Sequence, residues 1–193
     1  MTSGAGARFE TLSSGRLVLR RFEPRDAAAF AAYRADPEVA RYQAWESCTF
    51  DEARRFVTSL EGLDPGKPGV WFQFAVSATP AGDLLGDCAL RCSRGDPRQA
   101  ELGFTFARSA QGKGFAAEAV RTLLGWAFPA LGLHRVFAVV DARNLRAQRL
   151  LDALGFRREG SFLENTWFKG AWSSEMLYAI LAREWPERTE RGR

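Results

Sequence analysis

Histidine is almost missing from this chain: His134 is the single one, so only three cysteines, Cys48, Cys88 and Cys92, remain to join it around a metal. Cys88 and Cys92 sit four apart in a strand-like run, where cysteine is ordinarily a small buried hydrophobe, and an odd set gives no disulfide framework. A reduced protein without a metal site is expected. No apolar run approaches the ~18 residues a membrane helix needs, and the first fifteen residues lack the charged and apolar regions of a secretory leader. That predicts a cytoplasmic protein without membrane contact. No basic block interleaved with aromatics is present either, which argues against nucleic acid as a partner.

What is present suits one domain. With 193 residues, 46% of them hydrophobic, the chain can bury one core with little left for a second. The expected division is a flexible segment over residues 1–15, a domain over 16–185 and a charged tail over 186–193. The 27 basic and 23 acidic residues are interspersed, so the net charge of +4 fits an anionic cofactor or an acidic partner.

Arg16 to Phe22 reads as a first strand. A helix follows from Pro24 to about Ala35, stopped by Asp36-Pro37, and Thr49-Phe-Asp-Glu52 is a capping box for a second helix ending near Gly62. Val70–Ser77, Asp83–Arg91 and Gln99–Ala107 read as strands joined by turns short enough for an antiparallel meander. Helical periodicity returns over Gly114–Phe128, and then come a strand (His134–Val140), a helix (Asn144–Leu154) and two strands (Phe156–Glu164, Trp172–Leu181) about a turn at Lys169-Gly170. The order β-α-α-β-β-β-α-β-α-β-β is that of a mixed α/β sheet.

The stretch Ser109-Ala-Gln-Gly-Lys-Gly-Phe-Ala-Ala-Glu-Ala-Val120 carries the chemistry. Gly112, Gly114 and Ala117 satisfy the dinucleotide fingerprint G-x-G-x-x-G/A, whereas Gln111 to Ala116 also satisfies a different anion loop. A dinucleotide fold wants its first glycine at the strand end and β-α-β units on both sides. Here Arg108-Ser-Ala-Gln111 intervenes and the first hundred residues supply a helix pair and a meander. The second reading places the free N-H groups of Gly112 to Ala116, at the positive end of a helix, around a pyrophosphate.

Six stretches in register resemble the GNAT superfamily of N-acetyltransferases, and within it the RimJ/RimL branch that acetylates ribosomal-protein N-termini. They are Arg16-Leu-Val-Leu-Arg-Arg-Phe22, Glu101-Leu-Gly-Phe104, Gln111-Gly-Lys-Gly-Phe-Ala-Ala-Glu-Ala119, Leu131-Gly-Leu-His-Arg-Val136, Asn144 with Leu154-Gly-Phe156, and Lys169-Gly-Ala-Trp172 with Tyr178 and Glu184-Trp185. The resemblance implies a mostly antiparallel sheet of about seven strands flanked by about four helices and splayed between its fourth and fifth strands, Gln99–Ala107 and His134–Val140. It implies acetyl-CoA as cofactor, with Gln111, Gly112, Lys113, Gly114, Phe115 and Ala116 at the pyrophosphate, Phe104, Thr105 and Phe106 along the pantetheine arm, and Asn144 in contact with CoA. Gly103 could seat a bulge that starts the splay. Lys113, Arg108, Arg143 and Arg149 are candidates for the CoA phosphates.

Acyl transfer to an amine needs a neutral nucleophile, an oxyanion stabiliser and a proton for the leaving thiolate. Glu101 is the candidate base, because it opens the strand beside the cofactor arm and alternation groups it with Gly103 and Thr105. The acid is harder to place. Where the branch often carries a serine and other GNAT branches a tyrosine after the helix asparagine, this chain has Ala147 and Leu151, which leaves water or Tyr178. Tyr42 and Trp45, between the first two helices, are candidates for the acceptor site, and His134 is expected to pack rather than react. The expected activity is direct acetyl transfer in a ternary complex to a primary amine, foremost a protein N-terminal α-amino group, by a monomer or homodimer. Alternatives are an acyl-CoA-binding regulatory or partner-binding protein with little turnover, or an acyltransferase using small-molecule amines or longer acyl groups.

Overall fold

The computed structural model describes residues 9–78 and 82–185. Eight strands form one sheet in the order β1-β2-β3-β4-β5-β6-β8-β7. They are β1 (Thr11–Ser13), β2 (Leu17–Arg20), β3 (Trp71–Ala78), β4 (Leu84–Cys92), β5 (Gln99–Phe106), β6 (Arg135–Asp141), β7 (Arg157–Phe168) and β8 (Ala171–Leu181). Every neighbouring pair is antiparallel except β5 and β6, which run parallel. This single parallel pair rules out the doubly wound dinucleotide fold.

Among the described residues the five α-helices are α1 (Ala27–Ala35), α2 (Pro37–Ala40), α3 (Phe50–Ser59), α4 (Phe115–Ala130) and α5 (Leu145–Ala153). Alternation along the strands sorts them onto two faces. On one, Phe72, Phe74, Cys88, Leu90 and Leu102 meet Val120, Leu123 and Leu124 of α4 in the main core. On the other, α1 and α3 form a second apolar cluster around Phe30, Tyr33 and Ala53. The capping box at the start of α3 forms as its spacing predicts: the Glu52 N-H donates to Thr49 Oγ1 at 3.3 Å and the Thr49 N-H to Glu52 Oε2 at 2.8 Å.

Two expectations need correction. The segment before residue 16 is not loose over its described part: β1 pairs with β2, and Phe9 is buried among Phe72, Phe74 and Trp126. Burying a phenylalanine contributes about 1.5–3 kcal/mol, enough to hold a short terminal strand, and polar neighbours hid it in the sequence. Trp185, the last residue of the expected domain, packs on Phe128, while residues 1–8 and 186–193 lie outside the described residues. Pro37, read only as a stop signal for α1, also opens the one-turn α2, because Asp36 accepts the Glu38 N-H at 3.0 Å.

The splay is where the resemblance puts it, between β5 and β6. The strands stay paired for three residues, ending at Glu101 opposite Phe137, and then diverge. Gly103 is not the cause: β4 and β5 keep continuous register through it, so no bulge forms there. A Cβ on Gly103 would meet Ala89 and Trp71 only at 3.8 Å, so close packing does not demand glycine either. The separation is set by the outer neighbours: β6 follows β8 along its whole length, and β5 follows β4.

Candidate active site

Where β5 and β6 part, a cavity of about 160 Å³ opens through the sheet. Leu102, Gly103 and Phe104 line one wall, Ala138 to Asp141 the other, and Asn144 and Ala147 of α5 close one end. At the other end stand Tyr42 and Gln43 from the loop after α2, with Thr166, Phe168, Ser173 and Glu175 from the β7–β8 hairpin. The hairpin turn is fastened over this end, where Lys169 Nζ donates to the carbonyls of Ala40 and Trp45, each at 2.7 Å.

The anion loop adjoins the β5 end. Gly112 and Gly114 have φ of 75° and 79°, a left-handed conformation that glycine adopts without penalty. Among the described residues, none of the N-H groups from Gly112 to Ala117 has a hydrogen-bond acceptor, and α4 begins at Phe115. Six unsatisfied donors at the positive end of a sixteen-residue helix make a cradle for phosphate oxygens. Gln111 braces the loop from beneath: its Nε2 donates to the Phe106 carbonyl at 3.0 Å and its Oε1 accepts from Arg146 at 2.9 Å. Arg16 braces it from the side, donating to the Lys113 carbonyl at 3.2 Å and to Glu118 at 2.7 Å. Burial alone would raise the Glu118 carboxyl, but hydrogen bonds from Ser14 and Arg16 outweigh it and hold the group below the usual carboxylate range.

The expected cation set is redistributed. Lys113 and Arg149 are exposed, as phosphate-seeking side chains would be. Arg108 is paired with Asp36 at 3.0 Å, and Arg143 is clamped on Asp141 at 2.7 Å. The sequence reading took Arg149 and passed over Arg146 on the same helix, although it is Arg146 that donates to Gln111 of the loop. Of the pantetheine-side trio, Phe104 lines the cavity, while the side chains of Thr105 and Phe106 are buried and only their backbone borders the split. Asn144 lines the cavity and caps α5, accepting the Ala147 N-H at 3.1 Å.

The proton-transfer candidates fare unevenly. Glu101 stands at the apex of the split on the acceptor face, yet its carboxylate is taken up by Arg91, which lies 4.7 Å over the Trp71 ring, and it is not among the cavity's lining residues. Tyr178 is a correction. It is buried in the main core and is not among the cavity's lining residues, and burial first and the charge of Asp152 second raise its hydroxyl. Trp45 is a second: its ring stacks on Arg34 at 3.8 Å within the helix layer, and only its carbonyl serves the site, as an acceptor for Lys169. Tyr42 does line the cavity. Ala147 presents a methyl group where the branch often has a hydroxyl, and Leu151 is fully buried. Cys88 and Cys92 lie in the core, and burial pushes both thiols up, so neither is a nucleophile for an acyl intermediate. His134 acts through its backbone, donating to the Arg98 carbonyl and accepting from Ala182.

Two acidic groups in the cavity escaped the sequence reading. Asp141 accepts from Ser173 Oγ at 2.7 Å and from Arg143 at 2.7 and 3.0 Å; burial would raise its carboxyl, but these bonds hold it below the ordinary range. Glu175, opposite Asp141 in the β6–β8 pairing, accepts among the described residues only from Asn165 Nδ2, at 2.6 Å. Strand alternation could have put Asp141, Ser173 and Glu175 on one face; what it could not supply was that this face borders the split.

Comparison with known proteins agrees with this geometry. Residues 16–157 match the family model described as an acetyltransferase (GNAT) domain. The chain is 31% identical over 177 residues to an uncharacterized N-acetyltransferase, p20, of Bacillus licheniformis, covering 91% of this chain and 98% of that one. It is 26% identical to the [ribosomal protein uS5]-alanine N-acetyltransferase of Escherichia coli, over 90% and 92% of the two chains. Mycobacterium smegmatis RimJ, solved in complex with CoA-disulfide, superposes with a TM-score of 0.78 at 25% identity, covering 96% of this chain and 92% of that one. The chain belongs to the GNAT acetyltransferase family and is an N-acetyltransferase of it, with ribosomal-protein acetyltransferases among its relatives.

Proposed function

We propose that the protein moves an acetyl group from acetyl-CoA to the N-terminal α-amino group of a protein, by direct attack with both substrates bound. The observation that carries this reading is that the cradle sits at the end of β5, the strand that walls the cavity, with Gln111 bonded to the Phe106 carbonyl and Leu102 to Phe104 lining the cavity. Unsatisfied N-H groups from Gly112 to Ala117 lie beyond the end of β5, and the cavity beside that strand, where β5 and β6 have parted, is framed at its other end by Tyr42, Gln43 and the hairpin. The residues fit the cofactor: donors without acceptors suit a pyrophosphate, the unpaired edge of β5 beyond Glu101 suits amide groups of a pantetheine arm, and Asn144 borders the same passage.

Acetyl-CoA, when bound, supplies an activated thioester. The rest falls to the chain's residues, which hold the acceptor amine at the split, accept its proton and shield the reaction behind the latched hairpin. An α-amino group with pKa ~8 is about a tenth neutral at pH 7, whereas lysine near ~10.4 is neutral about once in 2,500, so an N-terminus asks less of the base. The name of the uS5-alanine relative supports the same acceptor class. Two carboxylates border the split and could take that proton, Glu101 at its apex and Glu175 in the cavity wall.

One observation favours a second reading, a CoA-binding protein with little turnover: the methyl of Ala147 lines the cavity where the leaving thiolate needs a proton. Thiol release from acetyl-CoA, measured with peptides bearing free N-termini, polyamines and amino acids, separates the two. Amine-dependent release with the peptides supports N-terminal acetylation, and release only with small amines reassigns the acceptor. CoA binding without release across the whole panel favours the binder.

A further inference from the structure

We propose that Glu175, on β8, is the catalytic residue that takes the proton from the acceptor amine. This rests on the acetyltransferase reading above and adds the identity of its base. A general base must reach the nucleophile and have an oxygen free to accept. Among the described residues, the cavity wall holds two carboxylates, Asp141 and Glu175. Asp141 is spent: Arg143 and Ser173 occupy both of its oxygens, and it is held below the ordinary carboxylate range. Glu101 lies outside the wall and its charge is matched by Arg91. Glu175 is paired with no cation; one oxygen accepts from the neutral Asn165 amide and the other has no partner among the described residues.

Its placement follows from the sheet. In the β6–β8 register Glu175 faces Asp141, and Val139 and Leu177 form the next pair on the same side. That side carries the acceptor end, because Tyr42 and Gln43 approach it from α2 and Thr166 and Phe168 from β7. The bulge between Phe162 and Thr166, in which Glu164 takes a φ of 44°, turns Asn165 onto Glu175 and fixes one carboxylate oxygen. Among the described residues, the charged or titratable groups brought to this end are Asp141 on β6, Arg143 clamped to Asp141, Tyr42 on the loop, Glu164 at the bulge and Lys169 at the hairpin turn, whose ammonium is taken up by the carbonyls of Ala40 and Trp45.

The chemistry balances without a further reagent. Glu175 takes a proton from the ammonium form of the acceptor and passes it to solvent. The neutral nitrogen lone pair forms the N–C bond to the thioester carbonyl carbon, the C–S bond breaks with its electron pair leaving on sulfur, and the second nitrogen proton goes to Glu175. Solvent protonates the thiolate, a step that the methyl of Ala147 leaves to water.

The test compares the E175Q and E101Q variants with the unaltered enzyme on acetyl-CoA and a short peptide with a free N-terminus. It is accompanied by calorimetric CoA binding and by acetyl-CoA hydrolysis without any amine. Expected for E175Q are a fall in kcat/KM of about 10²–10³, loss of the acid limb of the pH–rate profile, and CoA affinity within about twofold. Expected for E101Q is a smaller fall with that limb kept. An E175Q enzyme that keeps its rate and limb, or an E101Q enzyme that alone loses the limb, overturns the assignment. If the unaltered enzyme acetylates no peptide, the acceptor reading fails but Glu175 is still decided. Water then replaces the amine, and E175Q must slow hydrolysis and remove its acid limb, or the assignment falls.

Discussion

Replacing Lys169 by methionine should loosen the roof of the acceptor end and leave the cofactor end intact. Phe168 and Ala171 pair across a two-residue turn in which Lys169 and Gly170 have φ of 49° and 80°, the geometry of a type I′ hairpin. Lysine is a poor residue for positive φ, so its presence needs a compensating contact, and the structure supplies two: Nζ reaches the carbonyls of Ala40 and Trp45 at 2.7 Å. These carbonyls bracket Tyr42 and Gln43, the lining residues that face the hairpin. A charge-assisted hydrogen bond is worth about 1.5–3 kcal/mol when sheltered, but Lys169 is exposed, and the pair is better valued at about 1–2 kcal/mol together. Methionine keeps the stem and the turn strain and loses both bonds, so the open form gains about 5–30-fold. Amide hydrogen exchange of residues 166–173 should accelerate by that factor, and KM for a peptide acceptor should rise by the same factor while CoA affinity holds. A K169N variant separates latch from strain, since asparagine tolerates positive φ but cannot reach both carbonyls. The latch account requires both variants to loosen. Unchanged exchange in K169M, or loosening in K169M alone, refutes it.

G114E puts a carboxylate among the unsatisfied N-H groups at a residue with φ of 79°, and should cost CoA about 10²-fold or more in affinity by calorimetry; unchanged affinity would move the pyrophosphate elsewhere. R20A strands Asp26, whose carboxylate Arg20 holds by two buried bonds at 2.6 and 2.8 Å, and should lower unfolding stability in urea by about 3–5 kcal/mol, against which a loss below 1 kcal/mol would count. Glu118 is depressed below the unfolded carboxylate value of about 4.3, so its contribution to stability is full above that pH and is lost as pH falls through the folded value. The melting temperature of E118Q should therefore fall less between pH 6 and 3 than that of the unaltered protein, and parallel curves would contradict the bond network.

The glycine loop and the helix starts beside it were legible because their signals are local. Two glycines before an alanine-rich helix, Asn144 opening another, and a strand ending in Glu101-Leu-Gly-Phe104 each encode backbone geometry within a few residues. The acceptor side was not legible, because it is assembled from segments more than a hundred residues apart: Lys169 binds the carbonyl of Ala40, and Glu175 shares a cavity with Tyr42. Side-chain type misled in the same region. Tyr178 and Trp45 look like site aromatics, yet β8 register turns Tyr178 into the core and Arg34 draws Trp45 into the helix layer. The expected bulge at Gly103 failed for a similar reason, since glycine in a strand permits a bulge without requiring one, and the diverging partners β4 and β8 suffice.

That division of the site also accounts for how the chain can do without a hydroxyl at Ala147. A thiolate with a conjugate acid near ~8.5 leaves without a bound acid at modest cost, whereas an ammonium near ~8 cannot attack until it has lost a proton. The demanding proton transfer is therefore on the acceptor side, where Glu175 is unpaired by any cation and Asn165 orients it, and the undemanding one is on the cofactor side, where α5 offers only a methyl. Asp141 links the two without titrating in the working range. Locked by Arg143 and Ser173, it ties β6 to β8 at the point where β6 has left β5. The fixed charge of the Asp141–Arg143 pair is internally matched, so Glu175 is the carboxylate of the cavity wall left to meet an incoming cation. An amine arriving as an ammonium is thus drawn to the same group that must deprotonate it, and a neutral acceptor such as an alcohol would gain nothing from the site.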